Sequence, residues 1–169
     1  SEQSGVEAAN AELFRRHKVI LTPSEHSDEA ALALVEALWR ELGADVEAME
    51  VEHHDQVLAA TSHLPHLLAF AYFNAVISQP AGREFLSLAG PGFRDFTRIA
   101  AGDPTVWRDI LLANRDEVLA QCGLFRHALE QLEQAVHGGH SQALEDRLTL
   151  ASETRTHWRM STQKSSPHR

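Results

Sequence analysis

Two clusters of polar side chains interrupt an otherwise apolar part of this 169-residue chain. The first is Ser62-His63-Leu64-Pro65-His66, with His53, His54 and Asp55 upstream. His63 and His66 are spaced i, i+3 and share a face if the segment is helical. Imidazole on a helix face suits proton transfer, ligand hydrogen bonding or metal binding. Zinc is poorly served, because no H-E-x-x-H occurs and the chain has one cysteine, Cys122. Serine beside histidine invites a hydrolase reading. No G-x-S-x-G elbow is present, however, and no orienting carboxylate is placed by sequence. Histidines satisfied inside a helical core fit the same pattern. The second cluster is Gly90-Pro91-Gly92-Phe93-Arg94-Asp95-Phe96-Thr97-Arg98. A glycine-containing turn opens a short helix carrying Arg94 and Arg98 at i, i+4. A guanidinium is suited to gripping a carboxylate through two parallel hydrogen bonds. A solvated face with arginines paired to Asp95 fits the same residues.

The elements that would carry these clusters can be read from periodicity and punctuation. Residues 6–14 have helical composition. Residues 18–22 read as a short buried strand stopped by Pro23. Ser27 is the expected N-cap of a helix running to Leu42, with Gly43 at its C′ position. Its apolar positions Leu34, Val35, Leu38, Trp39 and Leu42 fall on one face. Residues 44–51 suggest a second strand. Residues 53–78 form a long helical pattern that is apolar on most sides, as in a bundle or a subunit interface, with a kink expected at Pro65. Short helices are expected at 83–89 and 93–101. Asp103-Pro104 is a strong start signal for a helix over 104–121. Further helices are expected at 124–137, ended by Gly138-Gly139, and at about 141–158, before a polar tail expected to be disordered. The chain is thus predicted to be mainly α: a strand-helix-strand piece, too small to fold alone, then five or six helices.

Bulk composition narrows the function. Apolar residues make up 43%, enough for a packed core, and the net charge is −9 from 24 acidic and 15 basic residues. That balance disfavours nucleic-acid binding and attraction to anionic membranes. No apolar run long enough for a transmembrane helix appears. One cysteine excludes an internal disulfide framework, and a cytoplasmic location is the expectation. No G-x-G-x-x-G and no P-loop occur.

Taken together, HHDQVLAATSHLPHLLAFA (53–71), GFRDFTRIA (92–100) and DPTVW (103–107) resemble the prephenate dehydrogenase family. The opening SEQSGVEAANAELFRRHKVILTP (1–23) is similar to the segment after that family's catalytic H-P-x-A-G motif. ALWRELGADV (37–46) is similar as well, so the resemblance runs from residue 1 to roughly 155. Pro91 departs from the glycine run usual before the family's F-[KR]-D-F-T-R, which bears on the loop shape there.

The resemblance implies an NAD- or NADP-dependent oxidative decarboxylation of prephenate to 4-hydroxyphenylpyruvate, or of arogenate to tyrosine. It implies a homodimer, with tyrosine as a candidate inhibitor. Residue by residue, His66 matches an active-site histidine and is the catalytic candidate. Arg98 matches the arginine that binds a substrate carboxylate. Ser62 and His63 match residues at the boundary between cofactor and substrate, and Trp107 matches an aromatic residue lining the pocket. No residue of this chain is expected to bind the cofactor or a metal. The expected division is 1–51, a trailing Rossmann-type fragment; 52–158, a helical dimerisation and substrate-binding domain; and 159–169, a tail. Lacking the glycine-rich loop and the H-P-x-A-G histidine, the chain alone is expected to be inactive. A stand-alone helical ligand-binding or interaction protein derived from that domain is the alternative.

Overall fold

A computed structural model describes residues 9–10 and 12–159 of the chain. Of the stretch of helical composition at 6–14, residues 6–8 and 11 lie outside them, and residues 12–16 form turns rather than a helix. The polar tail also lies outside the described residues, Arg159 excepted.

Strand β1 (Lys18–Leu21) is rich in β-branched and aliphatic residues, and Pro23 bars its extension. It pairs in parallel with β2 (Asp45–Ala48), in a register that sets Val19 against Val46 and Leu21 against Ala48. Parallel strands need a crossover, here α1 (Glu29–Glu41), which packs on β2. The N-cap of α1 is Asp28 rather than the expected Ser27: its carboxylate accepts from the Ala31 N–H at 2.7 Å. The Ser27 hydroxyl instead accepts from the Ser24 N–H, closing the loop one residue earlier. Gly43 ends the helix with φ at 83°, a left-handed conformation that glycine adopts without steric cost. Trp39 meets Phe14 edge to face, with ring centroids 4.8 Å apart. Leu34, Val35, Leu38 and Leu42, the rest of the apolar stripe, are exposed.

The long helix begins at Val51 and is interrupted. α2 (Val51–Leu58) passes into a π-helical turn (Ala59–His63) and then α3 (Leu64–Ile77). Pro65 explains the interruption. Its nitrogen cannot donate, and its ring would clash with the carbonyl four residues back. The widened turn relieves both, and the Leu64 N–H reaches back to the Ala59 carbonyl. The disturbance expected at Pro65 takes the form of a widened turn, and the segment continues as helix beyond it. α3 carries apolar residues all round and forms the spine of its unit, with α4 (Gly82–Ser87), α5 (Pro91–Thr97) and a 3-10 turn (Arg98–Ala101) packed on it. Pro91 is the first residue of α5, so it initiates the helix whose glycine run it breaks.

Asp103 caps α6 (Pro104–Ala113), its carboxylate accepting from the N–H groups of Thr105 and Val106. The next break comes at Asn114, not at Cys122-Gly123 as the composition suggested. α7 (Arg115–His137) runs through Gly123, where open space surrounds the missing Cβ. One interior glycine costs about 1 kcal/mol, which a helix of this length absorbs. α7 ends at Gly138-Gly139, with Gly139 at φ 62°. α8 (Ser141–His157) is tied to α7 by Arg147 donating to the Gln131 side-chain carbonyl at 2.6 Å.

The described residues divide into two compact units. One takes the chain through Val51 together with Phe125 onward, and the other is Glu52–Leu124. The buried residues of the second unit are Ala59, His63, Leu64, Ala69, Gly82, Thr97 and Val118. Its core therefore sits on the π-helical turn and the start of α3.

Candidate functional site

The π-helical turn and the first turn of α3 bring the histidine cluster into the core of the second unit. His66 lies flat on Trp107 of α6, with ring centroids 3.5 Å apart and planes 19° from parallel. His66 Nδ1 is 2.9 Å from the carbonyl oxygen of Ser62. A carbonyl can only accept, so Nδ1 carries the proton and, in the neutral ring, Nε2 keeps its lone pair. Both faces of the arrangement are fixed by backbone. Ser62 lies in the π-helical turn, and Trp107 sits at the start of a helix anchored by Asp103 and Pro104.

Trp107 is held from its other edge by Gly102, which follows the 3-10 turn. A Cβ built there would fall 2.6 Å from the indole nitrogen and 2.9 Å from Cδ1. Glycine is required at this position for lack of space; the backbone, at φ −64° and ψ 158°, suits any residue. The same 3-10 turn begins with Arg98, whose side chain is exposed, and the turn packs on α3. Arg94 and Asp95 pair with each other at 3.1 Å on the surface of α5. Phe93 and Phe96, from the same helix, gather around Tyr72 of α3.

His63 is 8% exposed and faces other partners. Its Nδ1 is 3.2 Å from the side-chain nitrogen of Asn114, and that nitrogen also donates to the Asp55 carbonyl at 2.8 Å. Burial lowers the His63 pKa from its ordinary value of 6.5. The Asp55 carboxylate opposes the shift, while His54 and His66 add to it. The Asp55 carboxylate is itself held by His54 Nδ1 at 2.9 Å.

The five residues singled out by sequence thus fall in one unit, but in distinct environments: His66 with Trp107 and the Ser62 carbonyl, His63 with Asn114, and Arg98 on the neighbouring turn. Asn114 escaped sequence reasoning, since Asp55 and His63 are 59 and 51 residues away. The available signal was an asparagine, a poor helix former, between two helical patterns in Leu-Leu-Ala-Asn-Arg-Asp. A cleft of about 330 Å³ opens at the α6–α7 joint, lined by Asp55, Asn114 and the first residues of α7. Among the described residues no three of His, Cys, Asp or Glu converge as a metal site requires, and no helix is long and apolar enough to cross a membrane.

Comparison with known proteins gives this geometry a family. Residues 50–150 match the model of the prephenate dehydrogenase dimerization domain, and residues 1–48 match that of the prephenate dehydrogenase nucleotide-binding domain. The cyclohexadienyl dehydrogenase of Zymomonas mobilis is 38% identical over 138 residues, covering 80% of this chain and 47% of that protein. The prephenate dehydrogenase of Bacillus subtilis is 38% identical over 123 residues, covering 70% of this chain and 32% of that protein. The crystal structure of the Aquifex aeolicus prephenate dehydrogenase, in complex with hydroxyphenyl propionate and NAD+, superposes with a TM-score of 0.86 at 37% identity. That match covers 92% of this chain and 55% of that one. The Synechocystis arogenate dehydrogenase superposes with a TM-score of 0.78 at 27% identity, covering 90% of this chain and 56% of that one. The chain spans about half the length, or less, of these curated relatives. It belongs to the prephenate dehydrogenase family and carries part of the nucleotide-binding domain and the dimerization domain of that family.

Proposed function

We propose that this chain supplies the substrate contacts and the dimer contact of an enzyme that oxidatively decarboxylates prephenate, or arogenate, in tyrosine biosynthesis. The observation that carries the reading is the His66–Trp107 stack beside the turn that begins with Arg98. A flat aromatic surface and a fixed imidazole suit a six-membered ring carrying a hydroxyl. A guanidinium suits the carboxylate of a dianionic substrate. In this reading Arg98 binds a carboxylate, and Trp107 limits the plane the ring can adopt. His66, with its Nδ1 proton spent on Ser62, presents the Nε2 lone pair as an acceptor or base. Ser62 and His63 line the side of the pocket nearest the cofactor.

A relative in this family was crystallised with NAD+. The described residues here do not form a dinucleotide cradle. Neither paired-glycine turn follows a strand: Gly90-Pro91-Gly92 follows α4 and opens a helix of seven residues, and Gly138-Gly139 follows α7. Oxidation therefore needs a nucleotide-binding loop that these residues do not provide, and the 169-residue chain alone is expected to be inactive. Dimer formation is supported by α3, which is apolar on every side yet leaves Tyr72 46% and Ile77 48% exposed. The cytoplasm is the proposed site of action, with tyrosine a candidate inhibitor through its shared ring.

The test is NADH or NADPH formation from prephenate and from arogenate. The 169-residue chain would be run beside the same chain carrying whatever native sequence precedes Ser1. Activity in the longer form alone is the expected result. Activity in neither would refute the enzymatic reading and favour a non-catalytic ligand-binding protein.

A further inference from the structure

We infer that Asn114 is a positioning residue, whose amide clamps the His63 ring in the tautomer that offers Nε2–H, and not Nδ1–H, to a ligand oxygen. The Asp55 carbonyl can only accept, so the atom 2.8 Å from it is the Asn114 nitrogen and not its oxygen. That nitrogen has a second hydrogen, and His63 Nδ1 is 3.2 Å away. A donor there requires a lone pair on Nδ1, which puts the ring proton on Nε2. A doubly protonated ring would oppose N–H to N–H, so the clamp also excludes imidazolium, in the same sense as the burial of the ring.

Nε2 is the free end of the ring. Among the described residues no buried side-chain nitrogen or oxygen lacks a partner, and His63 makes its one side-chain hydrogen bond through Nδ1. Nε2 therefore reaches accessible space. One helical turn on, His66 has the opposite tautomer, its Nδ1–H held by Ser62. The two imidazoles thus differ in what they offer, one a donor and the other an acceptor. Such a pair fits a ligand that carries an acceptor oxygen, carboxylate or carbonyl, close to a hydroxyl. This assignment of the ligand rests on the dehydrogenase reading; the tautomer does not. The charged and titratable groups acting on His63 are Asp55 and His54 from α2 and His66 from α3. On the other side, the Arg115 guanidinium is paired with Asp116 at 3.1 Å.

The experiment is long-range proton–nitrogen NMR of the full 169-residue chain labelled with nitrogen-15. The His63 signals are assigned by their loss in His63→Gln, and spectra are taken above pH 6.5, the ordinary histidine value. The expected spectrum shows His63 as Nε2–H with an unprotonated Nδ1. In Asn114→Asp the carboxylate accepts where the amide donated, so a proton should move onto Nδ1. Asn114→Ala should give a mixture of tautomers and serves if the aspartate variant fails to fold. An Nδ1–H signal in the native chain would overturn the inference. So would a folded Asn114 variant in which His63 keeps Nε2–H alone. In the longer, active form, Asn114→Asp should move the acid limb of kcat/KM to higher pH, a change that a merely structural role would not produce. An inactive longer form would sink the dehydrogenase reading and leave the tautomer result standing; the wrong tautomer would do the reverse.

Discussion

Gly102→Ala is a one-methyl perturbation of the site with a consequence that can be worked through. The new Cβ would sit 2.6 Å from the Trp107 indole nitrogen, inside van der Waals contact, so one of the two must move. The backbone at Gly102 suits alanine, so no conformational strain enters. If the turn yields, the cost is that of overpacking, about 1–3 kcal/mol. If the indole yields, it leaves His66 and forfeits a stacked contact of about 0.5–1.5 kcal/mol beyond its buried area. Either path lowers the thermal midpoint, by roughly 1–12 °C for a chain of this size. Differential scanning calorimetry would be run on the single variant, on Trp107→Leu and on the double variant. With the indole gone, alanine at 102 meets little, so the second substitution should cost almost nothing in that background. Gly92→Ala, where open space surrounds the missing Cβ, is the control and should be neutral or slightly stabilising. Equal losses in both backgrounds, or no loss in the native one, would show that Gly102 does not wedge Trp107 against His66.

Three further outcomes are expected. Arg98→Ala in the active form should lower kcat/KM for prephenate roughly 30- to 150-fold, equivalent to about 2–3 kcal/mol of charge-assisted hydrogen bonding, mostly through KM; an unchanged KM would remove Arg98 from the site. Because His63 binds a proton less readily folded than unfolded, it favours the folded state most at and above pH 6.5, and that contribution fades as pH falls below it. Urea titrations of His63→Gln at a series of pH values should therefore show a shallower loss of stability on acidification than the native chain, and equal slopes would contradict the burial argument. Asp28→Ala should cost about 1 kcal/mol through loss of the α1 cap, whereas Ser27→Ala should cost less; the reverse order in thermal melts would restore Ser27 as the cap.

The parts of this structure legible in the sequence are those set by local chemistry. Val19-Ile20-Leu21 before Pro23, Gly43 at a helix end and Asp103-Pro104 at a helix start each act within a few residues, and each forms as read. The misreadings come from competition that residue type alone does not decide. Ser27 and Asp28 are both good caps by type, and Ser24 decides between them by engaging the serine. Cys122-Gly123 looked like a break, yet α7 passes through it, and the break falls at Asn114, bonded to Asp55 and His63. Pro65 signalled a disturbance, but its form as a widened turn depends on packing about Ala59 and Leu64. At the site, the histidines and Arg98 were visible as residue types. The Trp107 stack and the contact of Asn114 with His63 were not, because each joins residues far apart in sequence.

The widened turn at Ala59–His63 also acts as a phase offset in what would otherwise be a single rod. Ordinary helix advances about 100° and 1.5 Å per residue. Winding the same residues as ordinary helix would turn everything downstream by about that angle against everything upstream, whereas removing one residue would take up the widened turn and keep the phase. Asp55, before the offset, meets Asn114, while His66, after it, meets Trp107. Regular winding of the full count of residues could keep one of these meetings but not both. Ala60 and Thr61 are exposed, so their side chains are replaceable at little cost. What this segment cannot do is keep its count of residues and wind regularly, which makes indel scanning, more than substitution, the informative probe of it.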